Sequence, residues 1–242
     1  MKQTELIVLS NKQLTDTVCE MRLLGNLSAI TKPGQFVNLA LDGLYLRRPI
    51  SVCDVNGQEL TLVYKIVGKG TEQMAMLPTG SVVDVLTGLG NGYDLSKSGD
   101  APLLIGGGVG VPPMFYLAKK LLEQGKKVKV ILGFNTEDEI FYEEEFKRIG
   151  CEVFVTTVDG SKGIKGFATD ALPDEYSYVY TCGPEPMLKA VYNAIKTEGE
   201  FSFEERMGCG FGACMGCSCK TLTGYKRICK DGPVMKKEEI LW

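Results

Sequence analysis

The chain has 242 residues, 44% of them hydrophobic and 24% charged, with a net charge of −3. That is long enough for two cores and an appendage, and the mildly acidic balance gives no reason to expect nucleic acid as a partner. It has no histidine, which excludes Ser-His and Cys-His nucleophilic catalysis and removes the commonest zinc ligand.

From residue 1 to about 98 the chain reads as β structure. "QFVNLAL", "ISVCDV", "ELTLVYKIV" and "SVVDVLTGL" are short runs rich in Val, Leu and Ile, separated by Gly, Pro and Asp turns. One helix is expected around 70–77, and the whole predicts a small antiparallel barrel. The apolar run Leu6 to Leu9 is too short for a signal peptide or an anchor.

The pattern changes near Asp100. "APLLIGGG" predicts a strand running into glycine, followed by a helix through "PPMFYLAKKLLEQG". "KVKVILGF", "CEVFVTTV" and "YSYVYTCGP" predict further strands. "EIFYEEEFKRIG" and "EPMLKAVYNAIKTEG" predict helices between and after them. This alternation over 99–200 predicts a doubly wound parallel α/β domain. The uncharged stretch 101–118 carries four glycines and three prolines, so it is no membrane helix. A cytoplasmic protein without membrane contact is expected. From 201 to 242 there is little periodicity of either kind.

That last region holds five of the nine cysteines. An odd, clustered set argues for metal or redox use over a disulfide framework. Cys209, Cys214 and Cys217 have C-x4-C-x2-C spacing, and Cys229 follows. This is the ligand spacing of plant-type [2Fe–2S] ferredoxins. Gly208, Gly210, Gly212 and Gly216 let such a loop turn and aim backbone N–H groups at sulfur. Structural zinc is the alternative, although it favours paired C-x2-C units and only Cys214 and Cys217 form one. Cys219 is a spare thiol, or the ligand in place of Cys217.

Three further motifs stand out. "IGGGVGVPP" (105–113) puts Gly106, Gly107, Gly108 and Gly110 between a strand and a helix, where backbone amides can approach a pyrophosphate; a tight structural turn is the plainer reading. "TCGPEPM" (181–187) puts Cys182, Gly183 and Pro184 at a second strand end, predicted to lie beside the glycine loop. "RRPISV" (47–52) with "GKGT" (68–71) could hold a phosphate group, although an Arg-Pro strand start is also ordinary.

In this order, R-P-I-S, G-G-G-x-G-x-x-P and C-G-P-x-P-M resemble the ferredoxin reductase superfamily of flavin enzymes. With "GCGFGACMGC…CKDGPV" added, essentially the whole chain resembles the electron-transfer subunits of class 1B dihydroorotate dehydrogenases. The resemblance implies an FAD-binding barrel (1–98), an NAD-binding domain (99–200) and a [2Fe–2S] region (201–242). Arg48, Pro49, Ile50 and Ser51 would line the FAD, with Val63, Tyr64 and Lys65 on a neighbouring strand and Gly70 and Thr71 at its pyrophosphate. "LTGLGNGYD" (86–94) would turn beside the flavin. Gly106 to Gly110 would receive NAD, with Cys182, Gly183 and Pro184 near the nicotinamide. Cys209, Cys214, Cys217 and Cys229 would hold the cluster.

The implied activity is a relay of electrons through cluster and FAD to NAD+. A separate FMN-containing catalytic subunit would oxidise dihydroorotate, in a heterotetramer with two copies of each subunit. Rival readings are the flavin and iron–sulfur subunit of a ferredoxin:NAD(P) oxidoreductase or sulfide dehydrogenase complex, and a non-catalytic zinc-binding module. NAD is expected over NADP because "GFNTEDE" carries Asn135 and then Glu137, Asp138 and Glu139, which repel a 2′-phosphate.

Overall fold

A computed structural model describes residues 1–242. The first unit is a closed barrel of six antiparallel strands: β1 (Lys2–Gln13), β2 (Val18–Gly25), β3 (Phe36–Leu39), β4 (Arg48–Asn56), β5 (Glu59–Lys65) and β6 (Val82–Leu89). They run in the order β1-β2-β5-β4-β3-β6. Two of these strands are not among the apolar runs picked out above. β1 buries Leu6 and Val8 while the alternating Ile7 and Leu9 stay exposed, so its period is two although its sequence looks like one short apolar block. The interior is filled by Leu6, Val8, Met21, Leu23, Leu60 and Leu62, all fully buried. The expected helix is α1 (Lys69–Ala75), laid between β5 and β6.

The second unit is a seven-stranded sheet. Its strands are β7 (Leu103–Gly107), β8 (Lys129–Phe134), β9 (Glu152–Thr157), β10 (Ile164–Lys165), β11 (Val179–Cys182), β12 (Gly199–Ser202) and β15 (Val234–Lys236), in the order β10-β9-β8-β7-β11-β12-β15. All pairings are parallel except the last, in which β15 returns antiparallel to β12. Helices α2 (Val111–Glu123), α3 (Glu143–Ile149) and α4 (Glu185–Ala194) connect the strands. Between β12 and β15 lie a hairpin, β13 (Ser218–Thr221) with β14 (Gly224–Arg227), and the short α5 (Ile228–Asp231).

Two expected helices are shorter than their periodicity suggests. α3 begins only at Glu143 because Tyr142 adopts a left-handed backbone, φ 68°. That turn sends its hydroxyl into the barrel wall, where it donates to the buried carboxylate of Glu20 at 2.8 Å. α4 stops at Ala194, and Gly199 opens β12. Gly199 pairs with Val179 of β11, which ends the helical stretch before its periodicity does.

The barrel and the third region meet at Asn91, in the turn after β6. Its side-chain amide donates to the Val234 carbonyl at 2.7 Å and accepts from the Val234 N–H at 3.1 Å. Its backbone N–H donates to the Gly232 carbonyl at 2.7 Å. The amide thus pairs with β15 as a neighbouring strand would. Asn91→Ala leaves the buried Val234 groups unpaired and should cost about 1–3 kcal/mol of stability, read as a lower midpoint in urea unfolding.

Glu200 on β12 is buried, and its carboxylate accepts the Asp94 N–H at 2.9 Å. Burial pushes its pKa up to about 7, against the pull of that N–H, with the Asp94 charge adding and Lys236 and Lys32 opposing. The folded chain therefore holds this proton more tightly than the unfolded chain. Its contribution to stability is fullest below pH 4.5 and is lost as pH rises through about 7. Glu200→Gln should flatten the fall in thermal midpoint across that window, and a slope identical to the parent's would refute the assignment.

Candidate functional site

The glycine loop and the Cys182 turn sit side by side at the carboxyl edge of the sheet, because β7 and β11 pair in parallel with Gly106 opposite Cys182. Their contact is so close that side chains are excluded. A Cβ on Gly106 would lie 2.7 Å from the Val111 Cα, and one on Gly110 would collide with the Cys182 carbonyl. A Cβ on Gly107 would run into Met187, and one on Gly183 would lie 2.5 Å from the Met187 methyl. Packing therefore accounts for four of these glycines. Gly108 differs: its φ is +51° and nothing lies within 4 Å of its missing Cβ. With Val109 exposed beside it, this is the corner of the loop open to a ligand.

Pro112 and Pro113 occupy the first turn of α2, where no N–H is needed. Pro184 is exposed at the start of α4. Cys182 is partly buried, and burial pushes its thiol up to about 12. Burial thus favours its neutral thiol form at this edge.

At the end of β8, Glu139 accepts from both the backbone N–H and the side-chain amide of Asn135, at 3.1 and 2.8 Å. Lys162, on the facing turn, is spent on Glu143 at 2.8 Å. The edge therefore offers carboxylate where a 2′-phosphate would need cations.

In the barrel, the ladder between β4 and β5 ends at the pair Val52–Leu62. Beyond it, Arg48 to Ser51 pair only with β3, and Val63 to Lys65 pair only with β2. The two strands part there, leaving a slot walled by backbone edges. Arg47 is occupied, forking onto Asp84 at 2.7 and 3.2 Å. Arg48 is not paired with a carboxylate; its guanidinium lies on Gly70, where a Cβ would collide with it. Thr71 closes the first turn of α1, accepting from the Val67 N–H at 2.9 Å. The Val63 and Tyr64 side chains are packed in the two cores, and the Tyr64 hydroxyl donates to Asn11 at 3.0 Å. Of this strand's three residues only Lys65 is exposed, so Val63 and Tyr64 face the slot through backbone alone. The slot suits a planar, hydrogen-bonding ring with an anionic tail at Arg48 and Gly70.

The cysteines fall into two pairs. The Cys209 sulfur accepts N–H bonds from Ala213 at 3.2 Å and Cys214 at 3.4 Å, and it touches the Cys214 thiol. The Cys217 sulfur accepts the Cys229 N–H at 3.4 Å and touches the Cys229 thiol. Burial raises Cys209, but these N–H groups, that of Phe211 and the Cys214 thiol outweigh it and bring the pKa down to about 6. Burial and the neighbouring Cys217 push Cys229 up to about 12. No three such side chains converge closely enough for a single ion. Two thiol pairs, with backbone N–H groups aimed at sulfur, fit a binuclear cluster in which each iron takes two thiolates. Cys219, on β13, is half-buried and makes no hydrogen bond to another thiol.

The first pair is tied to the barrel, since Asn38 on β3 donates to the Cys209 carbonyl at 3.5 Å and a Cβ on Gly210 would collide with that amide. Asn38 and Asn91 are the site residues that reading the chain linearly misses. Neither has a sequence signal beyond an asparagine in a strand or a glycine-flanked turn.

Residues 104–193 match the family described as the oxidoreductase NAD-binding domain, and residues 204–241 match the iron-sulfur cluster binding domain of dihydroorotate dehydrogenase B. A solved NADH-dependent reduced ferredoxin-NADP oxidoreductase superposes with a TM-score of 0.88 and 29% identity, over 98% of this chain and 90% of that one. The ferredoxin NADP+ reductase of Neisseria gonorrhoeae shares the fold at TM-score 0.68 and 16% identity, over 80% of this chain and 90% of its own. Fold and site together define a ferredoxin-reductase-type oxidoreductase chain extended by an iron–sulfur region.

The match then narrows. The chain is 44% identical to the dihydroorotate dehydrogenase B (NAD(+)) electron transfer subunit of Fusobacterium nucleatum subsp. nucleatum, over 99% of both chains. It is 42% identical to that of Geobacillus sp. (strain WCH70), over 100% of this chain and 99% of the relative. It belongs to this family of electron transfer subunits.

Asn135→Arg combined with Glu139→Gln should raise the rate of flavin reduction by NADPH relative to NADH by about tenfold or more. Stopped-flow absorbance measures that ratio, and an unchanged ratio would remove Asn135 and Glu139 from nucleotide selection.

Proposed function

We propose that this chain carries electrons from the FMN of a dihydroorotate-oxidising catalytic subunit to NAD+, using a [2Fe–2S] cluster and FAD as its own resident groups. One observation carries the reading. The paired thiols are held against the barrel by direct contacts: Asn38 ties the first thiol pair to β3, and Asn91 ties the base of the cysteine region to the turn after β6. When bound, the flavin exchanges two electrons with nicotinamide and single electrons with the cluster.

In this reading the units are 1–98 for FAD, 99–200 for NAD and 201–242 for the cluster. Arg48 and the Gly70–Thr71 turn hold the flavin pyrophosphate. Pro49, Ile50 and Ser51 form one wall of the slot, with the backbone of Val63, Tyr64 and Lys65 opposite. Gly108, at the open corner between Gly107 and Gly110, meets the NAD pyrophosphate, and Cys182, Gly183 and Pro184 border the nicotinamide. Cys209, Cys214, Cys217 and Cys229 would hold the cluster, as two thiol pairs. No residue is required to move a proton by general base catalysis, which suits a chain without histidine.

The resemblance supports a heterotetramer with two copies of each subunit, acting in the cytoplasm. No helix of the chain is long and apolar enough to cross a membrane.

Anaerobic titration with NADH, followed by flavin absorbance and low-temperature EPR together, tests the relay. Flavin bleaching with a reduced [2Fe–2S] signal is expected. Folded protein without flavin or iron would overturn it. Co-purification with an FMN subunit separates this reading from a ferredoxin-linked complex, whose partner would be a large flavin subunit.

A further inference from the structure

The two thiol pairs lie on different stretches of chain. Cys209 and Cys214 sit in an exposed loop, whereas Cys217 and Cys229 are buried against the sheet. A binuclear cluster needs both pairs at a fixed separation, so something must hold the loop to the buried pair. Arg227, at the end of β14, spans them. Its Nη1 donates to the Gly212 carbonyl, between Cys209 and Cys214, at 3.0 Å. Its Nε and Nη2 fork onto the two carboxylate oxygens of Asp231, two residues beyond Cys229, at 2.9 and 3.2 Å. The same carboxylate accepts the Arg227 backbone N–H at 3.0 Å. The Cys229 thiol also accepts the Gly212 N–H, and Arg227 is the charged side chain from 217–231 that bonds this loop.

Gly212 is shaped for this contact, with φ +91° and the Lys230 side chain 2.6 Å from where a Cβ would lie. Asp231 orients the guanidinium, and the half-buried setting limits solvent screening. The loop carries exposed Phe211 and Met215 and has little core of its own.

Building on the cluster assignment above, we propose that Arg227 is a positioning residue that clamps the Cys209–Cys214 loop to the Cys217–Cys229 pair, retaining the cluster and placing a fixed positive charge beside it. A guanidinium that ties a loop carbonyl and a carboxylate together cannot be replaced by a lysine, whose ammonium has no planar fork. Its charge can be replaced. The two roles therefore separate by substitution.

The test uses the full chain co-purified anaerobically with its partner, in Arg227→Gln, Arg227→Lys and Asp231→Asn forms. Iron release to a ferrous chelator, flavin content and the cluster midpoint potential by EPR titration are measured on each. Arg227→Gln should release iron about tenfold faster or more, keep its flavin, and show a potential shifted to more negative values. Arg227→Lys should release iron faster with a potential near the parent's. Asp231→Asn should lie between parent and Arg227→Gln in release rate.

Recovery of Arg227→Gln with full flavin but no cluster would support the clamp. If that variant fails to fold, the Arg227→Lys release rate decides. Parent-like iron release in both arginine variants would overturn the proposal. A parent protein without two irons and two sulfides per flavin would overturn the cluster assignment itself.

Discussion

The architecture depends on one short antiparallel pairing, that of Val234–Lys236 with Gly199–Ser202 at the edge of the sheet. It makes the cysteine region an excursion that leaves the sheet and returns to it. A segment of about thirty residues with few buried apolar side chains could not hold a defined shape alone. Closed at its base, it inherits the rigidity of the sheet, and Asn91 fixes that base to the barrel by satisfying the backbone of Val234. The seven-stranded sheet thus supplies both the nucleotide edge and the foundation of the cluster loop.

The chemistry relies on backbone groups more than on side chains. The Cys209 sulfur receives N–H groups from the loop it closes, the slot between β4 and β5 is walled by backbone edges, and the glycine corner presents amides at a strand end. Such groups are fixed dipoles that do not titrate, and they suit resident groups whose charge changes by single electrons. Side-chain charges serve mostly to hold parts together. Arg47 joins β6 through Asp84, Lys119 on α2 joins the barrel through Asp54, and Arg227 joins the two cysteine stretches.

The barrel and sheet also share a core. Val63 and Cys53 of the barrel pack in one cluster with Phe115, Phe146 and Tyr180 of the second unit. The Tyr142 hydroxyl adds a buried bond to Glu20 across the same boundary. A contact this apolar disfavours large swinging of the two units, and it keeps the nucleotide edge facing the barrel slot.

Much was legible in the linear chain. Alternating strands and helices, C-x4-C-x2-C with a fourth cysteine, and glycines bracketed by strand and helix are local signals, each produced by a period or a spacing within a few residues. The absence of histidine, the acidic run after Asn135 and the order of motifs belong to the sequence alone. What it could not contain is the partnership between distant segments. β1 and β2 become strands through barrel closure, and α3 is cut short because Tyr142 finds Glu20 in the other unit. Of the glycines that resemble a phosphate loop, Gly106 is demanded by Val111, Gly107 by Met187 and Gly110 by the Cys182 turn, and Gly108 faces outward. The pairing of Cys209 with Cys214 and of Cys217 with Cys229, and the arginine between the pairs, depend on where the returning strand places them. Spacing can single out four cysteines, but only the folded chain shows which two thiols lie together.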